Sequence, residues 1–411
     1  MRSTTTRVLA FAYACEPNKG SEPGAGWNWV RMIARFADVW VITRANNRES
    51  IESFLDGLPE RDRLHFVYVD LPAWARFWKR GQRGVRLYYL LWMALARRVA
   101  REMHLQEPFD IVWHLTIANV WLGSLAPFPG PRFIFGPVGG GISTSWGLLP
   151  LAGFRGAAYE VARSMLRSIC RWTNPLVRYS LRRADLVLVQ NQETHDFLPR
   201  KEKPKAVVFP NPVLDLHVGK DPARQVAESG FRTAIVVGRL QPLKGVALAI
   251  EAVARLDEVQ LLICGSGRDE NRLRNLVLRR KVEDRVRFLS WIPHEEVLRL
   301  MREEADVFLS PSLHEEGGFA VVEALAQGLP VVCLDRGGPP ALAGSAAVIV
   351  KAGNNQGAVV DGIVDAIRVA IQPGSTQSAA ASEVGSRFVL DERARELESL
   401  VSPFLANKIR S

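Results

Sequence analysis

Short apolar runs that end in glycine-bearing polar clusters recur along this chain, and between residues 234 and 335 they are regular enough to restrict the fold. Val236-Val237 leads into Gly238-Arg239-Leu240 and then Lys244-Gly245, and Ile263-Cys264 leads into Gly265-Ser266-Gly267. A third run, ending near 310, leads into Glu315-Glu316-Gly317-Gly318 and the helix-like stretch Phe319-Ala320-Val321-Val322-Glu323. Each run has the length of a strand, and each cluster opens a helical stretch. A chain that repeats strand, polar turn and helix builds a parallel sheet covered by helices. In such sheets ligands lie at the carboxyl ends of the strands. Two cations, several glycines and two carboxylates collected there suit a ligand with phosphates at one end and hydroxyls at the other.

The same alternation extends over all 411 residues, a size expected to form two to three domains. Strands are predicted near 7–13, 38–43, 65–70, 109–114, 132–135 and 185–189, with helices over 25–36, 84–104 and 156–183. A second series has strands near 207–209, 234–238, 259–264, 286–289, 306–310 and 331–334. Its helices fall near 245–256, 269–280, 294–304 and 319–327. Between the series, Pro199, Pro204, Pro210, Pro212 and Pro222 sit among charges, as in a linker with a crossing strand. We therefore expect two doubly wound α/β domains, residues 1–199 and 200–386. A polar small-residue stretch at 373–386 precedes a last helix near 388–401.

Cysteines at 15, 170, 264 and 333 show neither paired nor metal-site spacing, which favours a reducing compartment. Arg2 and Arg7 before Val8–Cys15 have the look of a short signal peptide. A first buried strand is the preferred reading, because Glu16-Pro17-Asn18 follows at once. No run reaches the ~18 apolar residues of a membrane span.

The net charge of +10 is concentrated in two places, +7 over residues 74–104 and +6 over residues 151–183, which leaves −3 for the rest. In the first segment Trp74, Phe77, Trp78, Tyr88, Tyr89 and Trp92 alternate with Arg76, Lys79, Arg80, Arg83 and Arg86. Aromatic residues among cations suit an anionic membrane surface, where each cation adds ~1 kcal/mol of attraction, and residues 74–104 and 151–183 are expected to meet one. An ordinary helix with a solvated basic face would look the same. No nucleic-acid motif accompanies the charge, so nucleic acid is not expected as a partner.

Individual residues carry more chemistry. Gly317 and Gly318 allow the backbone to turn so that free N–H groups point outward at the positive end of a helix. Glu315 lies just before that helix and Glu323 about a turn inside it, where carboxylates can accept bonds from vicinal hydroxyls. The plain alternative is two glutamates stabilising a helix start, worth ~0.3–1 kcal/mol. Arg239 and Lys244 beside them favour the functional reading, since an Arg fork and a Lys charge clamp a diphosphate. Gly265 and Gly267 fit either a phosphate loop or a tight turn. Ile292, within Trp291-Ile292-Pro293, is a candidate wall for a base.

In the first half, Gly24 and Gly26 belong to a glycine loop between the first strand and the first helix, where N–H groups could approach a phosphate or sugar. It is neither a Walker loop nor a dinucleotide fingerprint. Gly136 to Gly141 is a second glycine loop or a sharp turn. His114 ends the strand 109–114, at an edge where reacting side chains collect. No metal-ligand spacing occurs, and no metal or other cofactor is expected.

Taken together, Gly238-Arg239-Leu240 with Lys244-Gly245, Gly265-Ser266-Gly267, and Glu315 seven residues before Glu323 ahead of Ala324-Leu325-Ala326-Gln327-Gly328 resemble the retaining GT-B glycosyltransferases of family 4. The first half is similar too, in its first glycine loop, His114 after Asp110, and Arg183-Ala184-Asp185. The resemblance implies two Rossmann-like domains facing a cleft, an acceptor-binding first domain and a last helix, 387–411, crossing back to it. It implies a nucleotide-sugar donor and a glycan or lipid-linked acceptor, without a metal. Arg239 and Lys244 would hold the diphosphate and Glu323 the ribose. Glu315 with the Gly317–Ala320 backbone would hold the sugar, Gly24 and Gly26 would assist, and His114 would lie near the reacting centre. Glu316-Gly317-Gly318 stands where the family has Gly-Phe-Gly, and Pro210-Asn211-Pro212 where Asn-Gly is commoner. Such an enzyme is expected in the cytoplasm, peripheral on the inner membrane face. A nucleotide-sugar epimerase or another GT-B-architecture enzyme is the alternative.

Overall fold

The computed structural model describes residues 5–72, 74, 84–144, 146–215 and 230–405. The chain divides into two compact units: Met1–Gly141, Arg167–Asp215 and Leu390–Ser411 form the first, and Ile142–Leu166 and Leu216–Val389 the second. Each is built on a parallel sheet of the doubly wound Rossmann-like kind.

The first sheet contains β1 (Arg7–Phe11), β2 (Asp38–Arg44), β3 (Leu64–Val69), β4 (Ile111–His114), β5 (Arg132–Val138), β6 (Leu186–Val189) and β7 (Ala206–Val208), in the order β3-β2-β1-β4-β5-β6-β7. Its central strands are apolar throughout because helices cover both faces; Val8, Leu9, Ala10 and Phe11 are all fully buried. The second contains β8 (Arg232–Val237), β9 (Val259–Cys264), β10 (Val286–Ser290), β11 (Val307–Ser310), β12 (Val331–Leu334) and β13 (Ala347–Val350), in the order β10-β9-β8-β11-β12-β13. The order reverses between β1 and β4 in the first sheet and between β8 and β11 in the second. A reversal leaves a crevice at the strands' carboxyl ends, because the flanking connections depart to opposite faces.

Three differences from the sequence expectation have physical causes. The strand near 207–209, expected to begin the second series, pairs in parallel with β6 as the edge of the first sheet. The proline-rich segment after it is pinned to the first unit: Trp29 Nε1 donates to the Asn211 carbonyl at 2.9 Å and Asn28 Nδ2 to that of Val213 at 2.8 Å. The division consequently falls after Asp215 and not at 199. Second, residues 142–166 group with the second unit, where Leu148 and Leu151 enter its core. Third, the helix expected over 156–183 is two, Gly153–Thr173 and Pro175–Arg183. Pro175 cannot continue a helix but fits its first position, and Asn174 caps the new one by accepting from Leu176 N at 2.9 Å.

The last helix, Leu390–Leu405, buries Leu390, Ala394, Leu397 and Val401 in the core of the first unit. Arg393 anchors it by donating to the Pro210 carbonyl at 2.7 Å and stacking over Phe209 at 3.7 Å. Within the polar stretch 373–386, Thr376–Ser386 is helical, and its small residues let Gly385 approach the backbone of Ala326. Among the described residues, no helix is long and apolar enough to cross a membrane. Arg76, Phe77, Trp78, Lys79, Arg80 and Arg83 of the basic segment lie outside the described residues, as do the side chains of Arg86 and Arg155.

Candidate functional site

In the second unit the loops after β8 and β11 border the reversal and are locked together by backbone contacts. Leu313 N donates to the Leu243 carbonyl at 2.8 Å, and Gly245 (φ 66°) is so close to the next loop that a Cβ there would sit 1.9 Å from the Pro311 carbonyl oxygen. This packing carries Lys244 to Glu315, and Lys244 Nζ forms an ion pair with Glu315 Oε2. Glu315 Oε1 accepts from Gly318 N at 3.3 Å, and its carbonyl accepts from Gly338 N at 2.9 Å. Gly318, in the left-handed region (φ 65°), precedes the helix Phe319–Ala326. Two residues expected to act together are therefore in contact across the reversal, beside a helix start whose outer N–H groups can bind an anion or a sugar oxygen.

The loop after β9 supports this one. A Cβ at Gly265 would lie 2.0 Å from the Gly238 carbonyl oxygen, and one at Gly267 2.2 Å from that of Leu240. Both glycines are thus required by backbone packing, which holds Arg239 and Leu240 in place. Arg239 is exposed on the loop, with no ion-pair partner among the described residues. Gly317, Phe319 and Ala320 are half-buried around the helix start, and Ile292 is half-buried between exposed Trp291 and Pro293.

Glu323 projects from the same helix and meets a residue the sequence did not single out, His294, whose Nε2 is 3.0 Å from Glu323 Oε1. The bond to Glu323 raises the His294 pKa, against the opposing effect of partial burial. His294 opens the helix His294–Glu303 one residue after Pro293; its place after a strand end was visible, its partner was not. A second such group holds the Glu315 loop, since Arg163 Nη2 donates to His314 Nδ1 at 2.8 Å and Arg163 also pairs with Glu160 at 2.9 Å.

The first unit departs from expectation. His114 does end β4, but it is fully buried and both ring nitrogens are engaged. Nε2 lies 3.0 Å from the Thr116 carbonyl and 2.9 Å from the Tyr89 hydroxyl, and Nδ1 2.6 Å from Ser124 Oγ. Since a carbonyl only accepts, Nε2 carries the proton and Ser124 donates to Nδ1. Burial lowers the His114 pKa to about 4. The ring is buried and neutral, held by Tyr89, Thr116 and Ser124. Gly24 and Gly26 lie not in a loop but within the helix Ser21–Ala34, buried, where Cβ atoms would strike the carbonyls of Lys19 and Ala14. They make room for the chain that leaves β1. Beside them is a carboxylate that went unnoticed in the sequence: Glu22, raised in pKa by burial, accepts from Ile117 N at 2.5 Å across the first reversal.

The sheets, their order and their reversal points define the fold class of the GT-B glycosyltransferases. Sucrose-phosphate synthase from Thermosynechococcus elongatus superposes over 98% of this chain and 100% of its own, at TM-score 0.65 and 17% identity. Anabaena HepE in complex with UDP and glucose does so over 97% and 100%, at TM-score 0.62 and 18% identity. These likenesses speak for the fold alone. In sequence, residues 219–377 match the family Glycosyl transferases group 1. The D-inositol 3-phosphate glycosyltransferase of Corynebacterium glutamicum (strain R) is 32% identical over 228 residues, 49% of this chain and 52% of the relative. The lipopolysaccharide core biosynthesis glycosyltransferase LpsE of Rhizobium meliloti (strain 1021) is 35% identical over 122 residues, 30% of this chain and 35% of that one. The chain spans about a third to a half of the length of the curated relatives it matches.

Proposed function

We propose that this chain transfers a sugar from a nucleotide-sugar donor to an acceptor hydroxyl with retained anomeric configuration. The Lys244–Glu315 pair at the reversal of the second sheet carries this reading. A cation held in place by a carboxylate, next to free N–H groups at a helix start, is organised for a leaving diphosphate and an adjoining sugar. Lys244 and Arg239 neutralise the charge that develops as the anomeric carbon–oxygen bond breaks. Glu315 and the Gly317–Ala320 backbone grip the sugar hydroxyls, and Glu323 accepts from the ribose. The acceptor oxygen bonds to the anomeric carbon, and its proton passes to the departing phosphate oxygen on the same face. The matched family region supports glycosyl transfer.

The acceptor side belongs to the first unit, where Tyr13, Glu22 and Thr116 follow β1 and β4. A lipid-linked or cell-surface glycan fits the basic segments, and the chain then works at the cytoplasmic face of the membrane. Lys244→Ala and Glu315→Ala are each expected to abolish transfer while the melting temperature stays near wild type. Full activity in both would end this reading. Conversion of labelled donor with no acceptor present would instead favour an epimerase.

A further inference from the structure

A concavity of about 580 Å³ lies in the first unit. The helix Pro175–Arg183 and the turn 199–202 that line it lead into β6 and β7, so it opens towards the amino ends of those strands. The β1/β4 reversal is at the carboxyl ends. Its floor is apolar, with Val177 and Leu181 buried and Pro199 half-buried. Its walls carry five cations, Arg171, Arg178, Arg182, Arg200 and Lys201, and one carboxylate, Glu202. Glu202 is already paired with Lys205 at 2.8 Å. None of the five cations has a carboxylate within ion-pair distance among the described residues.

Arg171 is the most constrained of them. It donates to the Leu198 carbonyl at 3.0 Å and stacks over Phe197 at 4.8 Å, while its Nε is buried with no acceptor. Burial without a counter-charge lowers its pKa. Like charges around one hollow repel unless an anion sits among them. Trp172, which also lines the hollow, is 65% exposed, and Ile169 one helical turn before it is exposed too. An aromatic ring with an apolar side chain beside cations is the chemistry of a headgroup boundary.

We propose that this concavity is a docking site for the phosphate headgroup of an anionic phospholipid at a bilayer surface. The arginines and Lys201 surround the phosphate, and Trp172 with Ile169 enters the acyl boundary. This rests on the reading that the chain works at a membrane, and it gives that contact a specific location and ligand.

The test is flotation of the full chain with vesicles of phosphatidylcholine alone or with about a third phosphatidylglycerol, without donor or acceptor. Wild type is expected to float only with the anionic vesicles, and less so at high salt. The triple variant Arg178→Gln, Arg182→Gln, Lys201→Gln should weaken that binding about a hundredfold, at ~1 kcal/mol for each charge. Trp172→Ala should weaken it too. Removing three exposed cations of the second unit (Arg279→Gln, Lys281→Gln, Arg287→Gln) should change it little. Equal losses in both triple variants would overturn the site in favour of diffuse charge. Binding of inorganic phosphate or glycerol phosphate to wild type but not to the first triple, with no vesicle binding, would overturn it in favour of a soluble anion. Since turnover is not measured, a chain that floats but transfers nothing would count against the transferase reading alone.

Discussion

Gly245 and Pro311, 66 residues apart, touch so closely that a single added methyl group at Gly245 would overlap the Pro311 carbonyl oxygen. That contact joins the loops on either side of the second sheet's reversal, and Lys244 and Glu315 reach each other because of it. Gly245→Ala meets both the left-handed conformation, which costs ~1–2 kcal/mol for a residue with a Cβ, and the collision. We expect it to lower stability by at least about 2 kcal/mol and to weaken donor binding more than tenfold. Gly353→Ala, at a site with open space around it, should do neither. Thermal melting and donor titration of both variants check this; an unaffected Gly245→Ala would show that the loops are not held as described.

The His294–Glu323 bond sets up a competition at the helix that carries the candidate ribose contact. His294 has a raised pKa because Glu323 accepts from it, so the pair persists at pH values where an ordinary histidine is already neutral. The sign for stability follows: the contribution is complete below the unfolded value and is lost as pH rises through the raised one. Because His294 is more than half exposed, we expect it to be only a few tenths of a kcal/mol. For binding the sign is opposite, since deprotonation frees Glu323 for hydroxyls. Donor affinity should therefore increase as pH rises through the His294 titration, and His294→Asn should flatten the profile. A slope that persists in that variant would assign it to another group.

His114 gives the acid limb. Its ring is neutral in the folded protein, with a pKa lowered to about 4 by burial. The unfolded chain binds a proton near the ordinary value, so stability is complete above pH ~6.5 and falls as pH drops towards 4. The full loss is on the order of 3 kcal/mol. Urea melts at pH 7 and pH 5 should differ by less in His114→Gln than in wild type. Equal differences would mean that His114 does not titrate as its burial requires.

The fold was legible where burial writes itself into composition. β8, β9, β11 and β12 are covered on both faces and read as continuous apolar runs, and the clusters after them gave away the carboxyl edge. β13 was missed because it is a four-residue edge strand whose Ile349 is half exposed. The site was legible as a set of residue types but not as a set of distances. Lys244 and Glu315 were expected together and are in contact. That His294 would engage Glu323 depends on the spacing of β10 from the 319–326 helix, which no local pattern records. At His114 the strand end was evident, but Tyr89 and Ser124 arrive from elsewhere in the chain to close over the ring. The glycines at 24 and 26 looked like loop residues because a helix that begins at Ser21 needs them for a neighbouring backbone and not for its own turn.

The last helix tests how the two ends of the chain depend on each other. Leu397 is fully buried, with Leu390, Ala394 and Val401, in a core shared with Trp29, Ile33 and the strands β1 and β2. Roughly 350 to 390 residues of chain separate these partners, so the first unit cannot complete its core until the C-terminal segment returns. Truncating Leu397 to Ala removes buried methyl groups and leaves a void that rigid strands fill poorly, which costs ~2–5 kcal/mol. Ser399→Ala, on the solvent side of the same helix, should stay within about 0.5 kcal/mol of wild type. If the helix were merely appended, both substitutions would be silent. The expected result is an earlier unfolding transition for Leu397→Ala, with loss of protection from hydrogen exchange in Ser21–Ala34 and little change in the helix Phe319–Ala326 of the other unit.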